Sequence, residues 1–528
     1  MSPIHFTLER IPFTLESDPT PAKNPPASMA GGIAIFDYNR DGRPDIFFTN
    51  GANLATLNKD SPKYRNRLFR NDGHGVFTDV TEAAGLAGAG FDVGVAAGDY
   101  DNDGFPDLFV AGVHRNTLYH NNGNGTFTDV TAKAGLNHFI DPEFGPLWAV
   151  AAAWVDVNND GLLDLFVVNY IQWKYSDKPA CSYKETADYC NPRFFKPLPN
   201  QLFLNKGNGV FEDVSAQWGI RAHPGKGMGV GVADYDADGR PDLFVTNDGY
   251  YNSLFHNLGN KFEEVAFNAG VALAEDGNFI SGMGLDFRDF NNDGLPDIVY
   301  IALNNQTFPL LQNTGKGDFQ EVTGPSGLRA QSLPMAGFGA GLFDFDNDGW
   351  KDLFVTRGHV ASLPQPGSEI DQYNTVFRNG GPEGKWQALT AEAGLNANPP
   401  ARHRGCAFGD LDGDGRVDVV ATALERNAEI WMNRSQTGAH WLDIALEGVQ
   451  SNRNGIGARI KLTTKSGTQY NHMTSSVGYA SSSLGPVHFG LGQANRVEQI
   501  EVRWPSGVVQ ALQNVDADRV LKIRESSK

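Results

Sequence analysis

Nine residues, "DYDNDGFPD" from Asp99 to Asp107, place carboxylates at positions 1, 3, 5 and 9 of one short stretch. Neighbouring carboxylates repel unless a cation sits among them, and a hard cation takes several oxygen ligands from one loop. The stretch reads as a cation cage. The spacing returns as "DYNRDGRPD" from Asp37, "DVNNDGLLD" from Asp156, "DYDADGRPD" from Asp234, "DFNNDGLPD" from Asp289, "DFDNDGWKD" from Asp344 and "DLDGDGRVD" from Asp410. Seven copies make it an internal repeat.

Within each copy, positions 1, 3 and 5 offer side-chain oxygens, position 7 a backbone carbonyl and position 9 an Asp able to bind through both oxygens. The expected ligands are Asp37, Asn39, Asp41, Arg43 and Asp45 in the first cage, then Asp99, Asp101, Asp103, Phe105 and Asp107 in the second. The third and fourth use Asp156, Asn158, Asp160, Leu162 and Asp164, and Asp234, Asp236, Asp238, Arg240 and Asp242. The fifth and sixth use Asp289, Asn291, Asp293, Leu295 and Asp297, and Asp344, Asp346, Asp348, Trp350 and Asp352. Asp410, Asp412, Asp414, Arg416 and Asp418 complete the set. Gly at position 6 of every copy permits the left-handed backbone that wraps such a loop. All-oxygen ligation favours Ca²⁺ over zinc or copper, up to seven ions in all. Their expected role is structural, with a calcium switch as the alternative.

An apolar run such as "VGVAAG" enters each cage and a β-branched, aromatic run such as "DLFVAG" leaves it. Then come "NTLYHN", a turn "NGNG" and "FTDVT". These read as four antiparallel strands per repeat, seven times, which predicts an all-β fold: a seven-bladed β-propeller. The seventh repeat lacks "FTDV", and "HFTLERIPFTLES" near the N-terminus stands where that strand belongs. It is expected to close blade seven, giving a propeller over residues 1–435. Residues 436–528 alternate as strands with turns "NRNG", "KSG" and "PSG", and predict a C-terminal β-sandwich.

The cages and flanking strands resemble FG-GAP or VCBS repeats, as in the integrin α head. The stretch from "HWLDIALEGVQSNRNGIGARIKL" through "GYASSSLGPVHFGLGQA" to "VEQIEVRWPSGVVQ" resembles the ASPIC and UnbV domain. The combination is similar to the cartilage acidic protein family and its bacterial homologues. The integrin-like resemblance implies a secreted binding or adhesion module.

Composition narrows the options. The formal charge of −19 disfavours nucleic acid and anionic membranes, and seven dications would bring it to about −5. No run of eighteen apolar residues is present, so no membrane span is expected. The start "MSPIHFTLER" lacks the regions of a signal peptide. Removal of a leader is favoured, since the cages suit the millimolar calcium outside cells; the expected location is secreted or periplasmic. Cys181 and Cys190 in "CSYKETADYC" can close a small disulfide, and Cys406 reads as a buried thiol.

Cages and third-to-fourth turns share one face of the ring, so the other face, with its variable loops, is the expected ligand surface. Small residues (Gly32, Gly94, Ala151, Gly229, Gly284, Gly339, Gly405) five positions before each cage imply inner strands crowded about the axis. One position earlier stand Gly31, Val93, Val150, Met228, Met283, Phe338 and Arg404, predicting an apolar mouth with Arg404 as its one charge. Lys226, Tyr250, Arg357, Arg402, His403 and Arg404 are the candidate ligand-binding rim. The insertion "IQWKYSDKPACSYKETADYCNPRFFKPLP" lengthens the third repeat to 78 residues, against 55 for the next two, and Trp173 in it is a candidate roof over the funnel. Two functions compete. One is binding of a protein, glycan or small molecule on the loop face. The other is a lyase, isomerase or cyclase acting in the funnel through His114, His359 and Glu425, the two histidines as acid or base. No G-x-S-x-G, H-E-x-x-H or phosphate-cradling loop is present.

Overall fold

The structure is a computed structural model describing residues 3–177, 181–364, 366–382 and 384–527. It is all-β. Seven four-stranded antiparallel sheets stand around one axis, and each inner strand contacts the next until the ring closes. In blade two, Asp92–Gly98 is innermost, followed by Asp107–Gly112, Thr117–Asn121 and Phe127–Asp129. The first two strands are buried throughout, because both faces pack against neighbouring blades; the last is short and largely exposed, as its Thr and Asp require. In blade seven the outer strand is Phe6–Thr14, paired antiparallel with Asn427–Asn433, so the two ends of the ring share one sheet.

Asn at the end of each third strand stitches the ring. The Asn121 backbone N–H donates to Asp107 Oδ1 at 2.8 Å, and its side-chain amide donates to Tyr38 O of the previous blade at 2.9 Å. Asn205, Asn257, Asn313, Asn379 and Asn433 repeat this on Tyr100, Val157, Tyr235, Phe290 and Phe345. Asn71 bonds to Leu411 O at 2.8 Å and so joins blade one to blade seven. These side chains are buried, and each such bond has a net worth of roughly 1 kcal/mol.

The C-terminal unit has one sheet of Val487–Gly492, His440–Glu447 and Arg519–Arg524, and another of Gly467–His472, Arg459–Thr464, Arg496–Arg503 and Val509–Asp516. It stands on the cage face of the ring. Arg453 N donates to Asn102 Oδ1 at 2.7 Å, Gly492 N to Asn347 O at 2.8 Å, and Lys351 Nζ to Tyr470 O at 2.9 Å.

Between its strands this unit sends a hairpin, residues 473–484, down the propeller axis. Ser476 Oγ donates to Val230 O, Val95 N to Ala480 O and Leu484 N to Ile35 O, while Gly478 bridges to Leu285. Ser482–Ser483 adds a parallel strand to the inner edge of blade one. The small inner-strand residues make room for it. A β-carbon on Gly32 would lie 2.4 Å from Ala480 O, and one on Gly284 would lie 2.7 Å from the Gly478 carbonyl carbon. Neighbouring strands supply the remaining crowding: a β-carbon on Gly94 would meet Val150 O at 2.1 Å.

Candidate functional site

The cages form as local hydrogen-bonded turns. In every copy the position-6 glycine has a φ between 80° and 97°, and its N–H donates to Oδ2 of the position-1 Asp. Position 4 is left-handed too, whether it is Arg40, Asn102, Asn159, Ala237, Asn292, Asn347 or Gly413. Four of these are Asn, the non-glycine residue most at ease there. Their amides donate to the position-6 carbonyl of the next cage: Asn102 to Gly161, Asn159 to Gly239, Asn292 to Gly349 and Asn347 to Gly415. Both oxygens of the position-9 Asp accept backbone N–H groups, in blade two from Tyr100 and Asn121. That residue ties the cage to the third strand as well as facing the cage interior.

Carboxylate oxygens of Asp99, Asp101 and Asp103 lie within 4.8 Å of one another, as do those of Asp234, Asp236 and Asp238, and of Asp344, Asp346 and Asp348. Burial pushes the acids upward: Asp45 to about 8, Asp99, Asp107 and Asp242 to about 7, and Asp156, Asp348 and Asp414 to about 6. Asp346 Oδ1 is buried without a hydrogen-bond partner. Stacked carboxylates, an orphan oxygen and an all-oxygen donor set fit a hard divalent cation.

Sequence reading missed the side chains that lean on the cages. The residue before the stitching Asn is Arg70, His120, Leu204, His256, Gln312, Arg378 or Met432. His120 Nδ1 lies 3.3 Å from both Asp101 Oδ2 and Asp107 Oδ1, and His256 Nδ1 lies 3.2 Å from Asp242 Oδ1. Arg378 pairs with Asp346 at 2.7 Å and Asp348 at 2.6 Å. Aligning "LYHN", "LFHN" and "VFRN" on the Asn exposes this position.

On the loop face the mouth is filled. Val93, Val150, Met228, Met283 and Phe338 are fully buried around Tyr479 of the axial hairpin, whose hydroxyl donates to Met29 O at 2.7 Å. Arg404 is not a rim charge. It lies beneath the surface, 3.8 Å over the Phe338 ring, and donates to Ser28 O, His403 O and His359 O; burial lowers its pKa to about 9. Residues 181–199 cross above. Cys181 and Cys190 are disulfide-bonded, Asp188 Oδ1 accepts from Ser362 N of blade six at 2.8 Å, and Lys23 Nζ sits over the Tyr189 ring. Trp173, the expected roof, is instead core: it is 1% exposed and packs edgewise on Trp148.

The remaining candidates are held apart by their own loops. His114 Nε2 bonds to Trp173 O at 2.9 Å, and burial lowers its pKa. His359 Nε2 bonds to Asn304 Oδ1 at 2.7 Å while Nδ1 accepts from Ala361 N; burial, with Arg404 adding to it, lowers its pKa to about 4. The His359 imidazole is therefore not poised near neutral pH. Glu425 accepts from the N–H and hydroxyl of Ser17, and so pins the N-terminal segment to blade seven. His403 bonds to Glu429 and Arg357 O, and is buried. Arg357 is spent on Gln372 and Thr375, and Arg402 stands 3.7 Å from Asp371. Lys226 donates to Pro192 O and lies over Tyr250, whose ring belongs to a group that reaches solvent. Tyr250, Tyr251, Phe267 and Phe279 lie within 4.2 to 6.3 Å of one another, ring to ring, in a chain from blade four to the connection into blade five. Tyr251, Phe267 and Phe279 are 36%, 60% and 53% exposed.

Fold and cages define a repeat protein of one class. Residues 37–110, 99–167, 195–245, 234–300, 289–355 and 344–421 match the FG-GAP-like repeat, and residues 448–528 match the ASPIC and UnbV domain. The chain belongs to the FG-GAP-like repeat proteins. It is similar to cartilage acidic protein 1 of Xenopus tropicalis, 26% identical over 506 residues that cover 92% of this chain and 71% of that protein. The Homo sapiens protein of that name is 26% identical over 501 residues, 91% of this chain and 70% of its own length. Among solved structures, an Agrocybe aegerita lectin that recognises non-reducing terminal N-acetylglucosamine aligns with a TM-score of 0.38 at 15% identity, covering 76% of this chain and 87% of its own. A Bacillus licheniformis rhamnogalacturonan lyase aligns at 0.36 and 13%, covering 81% and 75%.

Proposed function

We propose that this is a secreted or periplasmic calcium-binding β-propeller that binds a protein or glycan on its loop face, built as a propeller over residues 1–435 and a β-sandwich over 436–528. The exposed ring cluster Tyr250, Tyr251, Phe267 and Phe279 carries the reading. Four aromatic side chains gathered on a rigid scaffold, three of them more than a third exposed, form a patch of the kind that anchors partners. Calcium in up to seven cages holds the hairpins that set the blades, and the Cys181–Cys190 disulfide supports an oxidising compartment. Among the described residues no helix is long and apolar enough to cross a membrane.

The test is an array of glycans and purified matrix proteins probed with calcium-loaded protein and with a Tyr251→Ala/Phe279→Ala variant. Binding that the variant loses, without a change in melting temperature, is the expected result. Equal binding by the variant removes the loop-face site. Metal analysis that finds no more than a trace of calcium in protein dialysed against calcium buffer removes the cages.

A further inference from the structure

The position-4 ladder that links the cages is interrupted at cage four, between the Asn links on either side. Cage four carries Ala237 where cages two, three, five and six carry Asn. Its acceptor, Gly294 O, is taken by Arg459 of the C-terminal unit, whose Nη2 donates at 3.2 Å while Nη1 lies 3.3 Å from Asp234 Oδ2. At the same place the two units separate. At cages three and seven they press together: a β-carbon on Gly161 would meet Gln450 O at 2.5 Å, and one on Gly415 would strike the Trp441 ring at 1.9 Å. On Gly239, in cage four, a β-carbon would meet nothing within 4 Å. A cavity of about 610 Å³ opens there, between the cages of blades three to five and the C-terminal sheet.

Its walls carry both signs: the cage acids Asp156, Asp234, Asp238 and Asp289 line the propeller side, and basic and aromatic side chains line the C-terminal sheet. Lys461 and Arg503 line it from the C-terminal sheet, both exposed. Among the described residues no carboxylate lies within 4.0 Å of Lys461 Nζ, and Arg503 has only Glu501, at 3.8 Å. Tyr470 presents a half-buried ring beneath Lys461 Nζ, 5.8 Å from its centre. Trp504, 2% exposed, also lines the cavity, and its indole N–H has no hydrogen-bond partner. The His472 Nε2–H donates to Val232 O at 3.0 Å, which leaves Nδ1 as an acceptor.

We propose that this interdomain cleft binds an acidic oligosaccharide, with Lys461 and Arg503 meeting the carboxylates and Tyr470 meeting a sugar face. Lys461, with no carboxylate within 4.0 Å among the described residues, and Arg503, held by Glu501 only at 3.8 Å, favour an anion. Interleaved donors and acceptors favour hydroxyl groups over a plain hydrocarbon acid. The volume lies inside the range of about 300–1,000 Å³ typical of ligand sites and exceeds what a single small acid needs. The site lies on the opposite face of the ring from the aromatic patch, and does not rest on it.

Isothermal titration of the calcium-loaded full chain with trigalacturonate tests the proposal, with its trimethyl ester and glutarate as controls. Saturable one-site binding is expected, at least tenfold weaker for the ester and for glutarate. A Lys461→Ala/Arg503→Ala variant and the milder Lys461→Gln should each weaken it, the double variant at least tenfold, with unchanged melting temperatures. Tyr251→Ala should leave it untouched, so that loss of loop-face binding and loss of this site read separately. No saturable heat, equal affinity for the ester or glutarate, or wild-type affinity in the double variant would overturn it.

Discussion

Tyr479 is where the C-terminal unit grips the propeller, and its removal measures that grip. The side chain is fully buried, stands edgewise to Phe338 at 5.2 Å, and bonds to Met29 O, which lies 450 residues away in sequence. Tyr479→Phe deletes one hydroxyl and leaves a buried carbonyl unpaired, a cost of roughly 1–3 kcal/mol. Tyr479→Ala also empties the space of a six-membered ring that inner strands on all sides hold open, so the cost rises to about 3–5 kcal/mol. The two substitutions should thus differ by about 2 kcal/mol in urea unfolding followed by tryptophan fluorescence. Hydrogen exchange localises the effect: the Ala variant should speed exchange across 473–484 and the inner strand Ile33–Phe36, with little change in the outer strands. If the Ala variant costs under 1 kcal/mol, or the segment exchanges at the wild-type rate, the hairpin is a passenger and not a plug.

Other perturbations probe the ring and its docking. Asn71→Ala, at the seam, and Asn205→Ala, within the ring, each remove two donated bonds and should each cost about 2 kcal/mol in urea unfolding; a negligible effect at the seam would show that the ends are not stitched there. Burial, followed by the charge of Arg288, holds His472 neutral with a pKa of about 3. Its contribution is fully present above its unfolded pKa near 6.5 and is lost as pH falls toward 3, about 2 kcal/mol by pH 5. Stability measured between pH 7 and 5 should fall less for His472→Gln than for wild type, and parallel curves would refute the assignment. Arg459→Ala should lower the urea midpoint by orphaning Gly294 O, and adding Ala237→Asn should restore much of it by completing the ladder; no rescue would mean that Asn does not reach across at blade four.

The nonapeptides announced the ring because their chemistry is local: a carboxylate spacing and a glycine specify a turn whatever surrounds it. The pattern of strands follows by period alone. What the sequence concealed are contacts between distant segments. "TSSVGYASSS" reads as a polar loop with one aromatic residue, and nothing in its composition says that seven inner strands leave room for it. The glycines on those strands carried half of the signal, since they showed crowding but not its source. His114, His359, Arg404 and Glu425 were chosen for chemistry and position on a loop; each finds a partner that only the fold supplies, in Trp173 O, Asn304, Ser28 O and Ser17. Ala237 was visible as a departure from Asn at position 4. Its meaning waited on Arg459, 222 residues further on.

A propeller ordinarily offers its axis to a ligand, but this one closes both openings with its own chain. The hairpin at 473–484 enters from the cage face, and residues 181–199 of the insertion lie across the loop face. Both are anchored by polar bonds to blades far apart in sequence, so opening the axis would break several at once, at roughly 1 kcal/mol each, and would expose the apolar residues around Tyr479. The two binding sites proposed above therefore lie outside the axis. They are the aromatic connection between blades four and five on one face and the gap over Ala237 on the other. Both lie at blade four, so a single damaged blade should impair both binding modes while the rest of the ring, stitched by its own Asn residues, stays folded.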